Sequence, residues 1–205
     1  MQKLLIATRN PGKFREISEG FDGSKFELVF LGDMDVCDDG FFEDGETFLD
    51  NSYKKAKFFH DKTGLLTLAE DSGIMVDALC GELGVKTRRW GAGERASDEE
   101  WIEYFLRRMS DVPAEKRSAK FVCNVCVLNE KNGVLESFEG ETKGFISEKL
   151  LAPILKGLPL SSCFVPEGMN KAYAEISAEE KNKISHRGKA IFKAREWMES
   201  KFFEI

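Results

Sequence analysis

Apolar residues along the chain recur either at every second position or at spacings of three and four, and the two periods alternate, predicting strands and helices in succession. Residues 3–8 predict a strand. Pro11-Gly12-Lys13, followed by Phe14, Ile17 and Phe21, predicts a helix opening directly after it. A second strand is expected over residues 26–31, and the acidic run DMDVCDDGFFEDG after it is too polar for a core, so an exposed loop is expected there. From Glu46 the pattern turns helical, with Phe48, Leu49, Ser52, Ala56 and Phe59 on one side. Residues 65–69 predict a strand that stops at Glu70-Asp71-Ser72-Gly73. Ser97 and Glu100 have capping-box spacing ahead of Trp101, Ile102, Tyr104, Phe105 and Met109. A hairpin is expected from strands at 120–129 and 134–138 joined by Lys131-Asn132-Gly133. Ser177 with Glu180 opens a short helix. Ser185 is placed to cap the last one, which carries Ala190, Ile191, Ala194, Trp197 and Met198 at helical spacing. The class is α/β, and no repeat or Pro/Ser-rich linker divides the chain.

Composition narrows the possibilities. A chain of 205 residues that is 42% hydrophobic and 32% charged can bury a real core as one domain or a compact two-lobed unit. No segment approaches the ~18 apolar residues of a membrane span, and MQKLLIATRN lacks a signal peptide's long apolar stretch. A cytoplasmic location is the expectation. Five irregularly spaced cysteines argue against a disulfide framework. Cys123 and Cys126 suggest a metal or redox pair, but strand geometry points residues three apart to opposite faces, and further zinc ligands are missing. A net charge of −6 lacks the basic footprint of a protein that binds polymeric nucleic acid. A polyanionic small molecule would need locally gathered Lys and Arg, or a bridging divalent cation.

Three stretches carry candidate chemistry. Thr8-Arg9-Asn10-Pro11-Gly12-Lys13 puts a hydroxyl, an amide and a cation where a strand meets a helix N-terminus, a suitable place for phosphate, although a plain βα turn has the same outline. Glu70-Asp71 at a strand end, with Glu43-Asp44 in the acidic loop, offers oxygen ligands for Mg²⁺ or a base for water. Lys181-Asn182-Lys183-Ile184-Ser185-His186-Arg187 gathers cationic groups before a helix, suited to gripping phosphate oxygens or a base edge. A Ser/His hydrolase is disfavoured, because adjacent residues diverge and no G-x-S-x-G elbow is present.

ATRNPGKFREI, the E-D-G-E-T-F-x-x-N-x-x-x-K-A stretch at 43–56, AEDSGIMVDALCGELGV at 69–85 and AEISAEEKNKISHRGKA at 174–190 together resemble the inosine-triphosphate pyrophosphatase family, in order and over nearly the whole chain. The resemblance implies one pyrophosphatase domain over 1–205: an elongated, two-lobed mixed sheet flanked by helices, with the active site in the cleft between lobes. It implies Mg²⁺-dependent hydrolysis of deaminated or modified purine triphosphates such as ITP, dITP and XTP to a monophosphate and pyrophosphate, by a cytoplasmic homodimer that engages neither membrane nor polymeric nucleic acid. Thr8, Asn10 and Lys13 match the triphosphate-binding turn, Lys55 the helix lysine near the phosphates, and Ser72 and Gly73 the turn after the acids. Glu43 matches the metal-binding acid, with Glu70 beside it, and Asp71 the acid that activates water or joins the metal. Arg89 matches the arginine of a Ser-Ala-Arg-Tyr context, and Lys181, Ser185, His186 and Arg187 match the nucleotide-binding block.

One segment departs from the family. Where relatives carry Gly-Phe-Gly-Tyr-Asp-Pro, this chain has Gly157-Leu158-Pro159-Leu160-Ser161-Ser162, anchored by the matching Phe164-Val165-Pro166-Glu167-Gly168. Both aromatic-to-Leu changes and the Asp-to-Ser change fall on the expected base pocket. Base–aromatic stacking is worth roughly 1–3 kcal/mol, so an altered or broader base preference is expected. Enzymes acting on pyrimidine or other modified nucleotides, and a non-catalytic nucleotide binder, are the competing expectations.

Overall fold

A computed structural model describes residues 1–93, 95–130 and 134–203; of Val134 only the backbone is described. Six strands form one sheet in the order β2-β1-β3-β4-β5-β6: β1 (Gln2–Ile6), β2 (Phe26–Phe30), β3 (Leu66–Val76), β4 (Ser118–Asn129), β5 (Val134–Ile146) and β6 (Phe164–Pro166). The strand β1 runs parallel to both β2 and β3, and the remaining pairs are antiparallel. The helices are α1 (Pro11–Gly20), α2 (Phe48–Thr63), α3 (Asp98–Arg108), α4 (Ala178–Ile184) and α5 (His186–Phe203).

Local chemistry explains the helix boundaries. The Asn10 side chain accepts from the Gly12 and Lys13 amides, and Pro11 occupies the first helical position, where its missing N–H costs nothing. Thr47 and Asp50 form a reciprocal capping box on α2, and Gly64, at φ 66°, ends it. Ser97 and Glu100 do the same for α3, as their spacing predicts. Ser177 accepts from the Glu180 amide at the start of α4, and Ser185 accepts from Gly188 within α5.

Opposite faces of the sheet bury separate cores. On one, Leu66, Leu68, Cys123, Val125 and Val127 pack with Ile17 of α1 and Ile191, Ala194 and Met198 of α5. On the other, Ala69, Cys126 and Leu128 meet Ala56 and Phe59 of α2. A third cluster, built from α3, the far end of β3, β6 and Tyr173, fills the second lobe. Cys123 and Cys126 therefore serve as core residues on opposite faces, and all five cysteines are free thiols. Trp101 is only 2% exposed and belongs to the second lobe's core.

Two strands are longer than predicted. β3 does not stop at residue 69; it runs through Glu70-Asp71-Ser72-Gly73 to Val76, paired throughout with β4. A polar stretch reads as a strand end when every polar side chain is assumed to need water, and here buried partners replace the water. β5 likewise continues past 138 to Ile146. Its Gly140 faces α5 so closely that an added Cβ would lie 2.8 Å from the Ala190 amide nitrogen and collide with the His186 carbonyl. That close approach sets the start of α5 against the sheet. The expected turn at Lys131-Asn132-Gly133 lies outside the described residues.

Among the described residues no helix is long and apolar enough to cross a membrane.

Candidate active site

β1 stops at Ile6, whereas β3 continues for eight residues beyond Leu68, the last of its residues to pair with β1. Over Ala69 to Val76, β3 therefore has β4 on one side and no strand among the described residues on the other. A cavity of about 440 Å³ opens along this free edge, large enough for a nucleotide-sized molecule. Sequence reasoning put the acidic pair at the end of its own strand; what ends there is the neighbouring strand, β1.

The cavity gathers nearly every residue singled out by sequence. Thr8, Asn10, Lys13, Glu43, Lys55, Asp71, Ser72, Gly73, Arg89, Lys181, His186 and Arg187 all line it. Glu70 and Ser185 do not; both are buried just behind it. Gly73 has no room for a side chain, since a Cβ would lie 3.0 Å from the Phe48 ring and press on the Gly84 carbonyl. The 3₁₀ turn Gly84–Arg89 packs there, tied down by Thr87, whose hydroxyl donates to the Gly84 carbonyl at 2.6 Å and accepts from the Ile74 amide at 3.1 Å. The turn delivers Arg89 to the cavity, 3.8 Å from Glu43.

Two acids face the cavity with opposite electrostatics. Burial of Glu43 alone would raise its pKa, but its ion pair with Lys55, helped by Lys13 and Arg89, holds the carboxyl below its usual range. Burial of Asp71, reinforced by the nearby Glu43 charge, raises its proton affinity despite Lys13 and Lys55. Asn51 fixes the Asp71 carboxylate by donating at 2.9 Å, while its carbonyl oxygen accepts from the Gly45 amide at 2.7 Å. Asn51 thus joins the acidic loop to β3. Sequence reasoning gave Asn51 no role, although its place in the E-D-G-E-T-F-x-x-N stretch was a signal that could have found it.

Behind the wall lies a buried charge network. Glu70 pairs with Lys13 at 2.6 Å and with Arg187 at 3.5 Å. Burial opposes its ionisation, yet Lys13 and Arg187 hold its carboxyl well below the carboxylate range. Lys13 is kept charged by the same pair, against burial. Arg187 also donates to Ser72 at 2.9 Å and pairs with Glu16, which in turn pairs with Lys181 at 2.6 Å. Glu16 is a site residue that sequence reasoning passed over: within a helix pattern a glutamate looks like a solvated face, and only the fold shows it 7% exposed between two cations.

The second lobe supplies an aromatic wall. Phe121 lies parallel to the His186 ring at 4.5 Å, and Tyr173 and Trp101 also line the cavity. Burial first, and the adjacent Arg187 second, lower the His186 pKa far below its usual value, so this ring is neutral near physiological pH. It is not one of the site's cations, and Ser185 is engaged as a helix cap, so no Ser/His nucleophile forms here. Leu158, Pro159, Leu160 and Ser161 complete the wall, with the Ser161 hydroxyl accepting from Lys181 at 3.1 Å. Gly157 clasps this segment in place: its amide donates to Asp98 at 2.6 Å, and its carbonyl accepts from Asn10 at 3.0 Å.

This geometry has counterparts among known proteins. A HAM1 protein of known structure from Coxiella burnetii superimposes with a TM-score of 0.80 at 29% identity, over 97% of this chain and 98% of the other. The dITP/XTP pyrophosphatase of Symbiobacterium thermophilum is 41% identical over 95% of this chain and 94% of its own, and that of Thermus thermophilus is 42% identical over 92% and 88%. The Ham1 family pattern matches residues 4–197, which takes in both lobes and every wall of the cavity. The chain belongs to the Ham1 family.

Proposed function

We propose that this protein hydrolyses deaminated purine nucleoside triphosphates, of the dITP and XTP kind that its relatives are named for, to a nucleoside monophosphate and pyrophosphate. The observation that carries the reading is the shared wall: Lys13, Lys55 and Arg89 beside Glu43 and Asp71, in one cavity with an aromatic end. Lys13, Lys55 and Arg89, with the Thr8 and Asn10 turn at the N-terminus of α1, bind the triphosphate. Phe121, Tyr173 and the neutral His186 ring flank the base, taking over the stacking role of the aromatics absent at 158 and 160. Ser72, Gly73, Lys181 and Arg187 line the space between.

The donor set suits a hard divalent cation. Glu43 and Asp71 are two carboxylates near enough for one charge to raise the other's proton affinity, and Mg²⁺ takes one or two carboxylates along with phosphate oxygens and water. Among the described residues no group of three or more His, Cys, Asp or Glu forms a metal cage. When bound, Mg²⁺ neutralises charge building on the pyrophosphate leaving group. We assign Glu70 to a different task from metal binding: it holds Lys13 and Arg187 in place from behind the wall.

In the reaction, Asp71 accepts a proton from water as its oxygen bonds to the α-phosphorus. The bond from that phosphorus to the α,β-bridging oxygen breaks, and pyrophosphate departs against Lys13 and Lys55. Asn51 keeps the Asp71 carboxylate oriented for this. The whole chain is read as one two-lobed cytoplasmic unit acting as a homodimer, for which the exposed Phe42, Leu49 and Tyr53 offer apolar contact area. Sedimentation would return a two-chain mass. The direct test is pyrophosphate release with Mg²⁺ across ITP, dITP, XTP and the common nucleotides. Release from the deaminated purines bears the reading out, whereas saturable binding with no release from any nucleotide would reduce the protein to a binder.

A further inference from the structure

Glu43, one of the two acids assigned to the metal, stands in a stretch of chain with no helix or strand of its own. Residues 34–47 run from the 3₁₀ turn Leu31–Asp33 to the start of α2 without a backbone ladder to hold them. Side chains do that work instead. After Glu43, Asp44 pairs with Lys54 at 2.8 Å and the Gly45 amide donates to Asn51. Before it, Phe41 packs on Phe58 and Phe59, with ring centres 5.2 and 5.7 Å away. A further tether comes from the other end of the chain. Arg9 lies between Thr8 and Asn10, yet its guanidinium is spent on this stretch: Nε donates to Asp38 at 3.1 Å, and Nη2 donates to the Val36 carbonyl. The Asp38 carbonyl accepts from the Phe41 amide at 2.9 Å, so the hold passes along the chain toward Glu43. Asp38, Phe41 and Glu43 all line the cavity.

We propose that Arg9 is a positioning residue for Glu43: it fastens the acidic strap that carries this acid, and it does not itself bind the triphosphate. The inference rests on the metal reading of Glu43. Arg9 and Asp38 are 42% and 53% exposed, and an ion pair that open to water adds little to the stability of a fold. A small energy is nevertheless enough to choose between two placements of a strap that has no ladder. The two-pronged contact also explains why arginine suits the position, since a lysine ammonium cannot present two donors as one planar fork.

The test is Mn²⁺ uptake by the nucleotide-free protein, because Mn²⁺ favours the same oxygen ligands as Mg²⁺ and its free form is counted by electron paramagnetic resonance. Uptake at the site is the part that a second substitution, Glu43→Gln, removes in each background, so ions gathered by a freed Asp38 do not count. Electrostatics and positioning predict opposite signs for Arg9→Gln. Deleting a nearby positive charge would tighten the hold on a cation, whereas releasing the strap should weaken it, by about two- to fivefold. Arg9→Lys keeps the charge but not the fork, and should lose part of that affinity. In both variants exchange of the Phe41 and Gly45 amides should quicken while that of the β3 amides stays as in wild type. Tighter or unchanged uptake in Arg9→Gln overturns the proposal. If Glu43→Gln alone takes up as much Mn²⁺ as wild type, the metal reading falls and takes this inference with it. A loss in Glu43→Gln without one in Arg9→Gln removes this inference only. Weaker uptake in Arg9→Gln, in a protein that releases no pyrophosphate from any nucleotide, would sink the pyrophosphatase reading and leave the task of Arg9 standing.

Discussion

Single side chains in the cavity wall have separable tasks. Asp71→Asn keeps the Asn51 neighbour and the volume but removes the proton acceptor. Turnover should fall by roughly 10²–10⁴-fold, with a melting temperature close to wild type, as steady-state kinetics and thermal denaturation would show. Glu16 acts through its partners. Replacing it by Gln leaves Lys181 and Arg187 short of a buried anion, at a cost of about 3–5 kcal/mol in denaturant unfolding near neutral pH. Its folded pKa lies below the ordinary 4.5, so its contribution is present in full above that value and is lost as pH falls through the lower, folded one. The gap between wild type and variant should therefore begin to narrow as pH falls below 4.5 and go on narrowing down to the lower, folded pKa. Residues of this kind are the least legible in sequence. Lys13, Asp71 and Arg187 stood out because charges sat where strands meet helices, but Glu16 and Phe121 lie within ordinary helix and strand patterns, and their meaning comes from elements distant in the chain.

At the scale of elements, patterns with a local cause were the readable ones. The Ser97 and Glu100 box, the Pro11 entry and the spacing of α5 each depend on contacts within a few residues, and each is in the structure as predicted. The length of β3 was not readable, because what lets Glu70 and Asp71 remain in a strand is their partners Lys13, Arg187 and Asn51 from α1, α5 and α2. The segment after Lys156 depends on one residue. Gly157 sits at φ +76°, where a side chain is strained, and a Cβ would press on the Asn10 carboxamide. Gly157→Ala should cost about 1–3 kcal/mol in stability and raise KM, since it loosens the clasp between the Asn10 turn and α3; denaturation and kinetics on the same preparation would show both.

For the whole molecule, the two acids proposed to hold the metal have partners within the protein, Glu43 an ion pair with Lys55 and Asp71 a hydrogen bond from Asn51. Glu43 is already neutralised by Lys55 and Arg89, so chelation should abolish pyrophosphate release while leaving the melting temperature where it was. A large drop in melting temperature on adding chelator would make the ion structural. The early end of β1 has one more effect. A bare strand edge is normally a hazard, because its free N–H and C=O groups invite another chain to dock and extend the sheet. Here the edge of β3 is recessed behind the Gly84–Arg89 turn and flanked by Lys13, Lys55 and Arg89. The charges that would hold phosphates are also gatekeepers against aggregation, so substitutions that remove them should be screened for solubility as well as for activity.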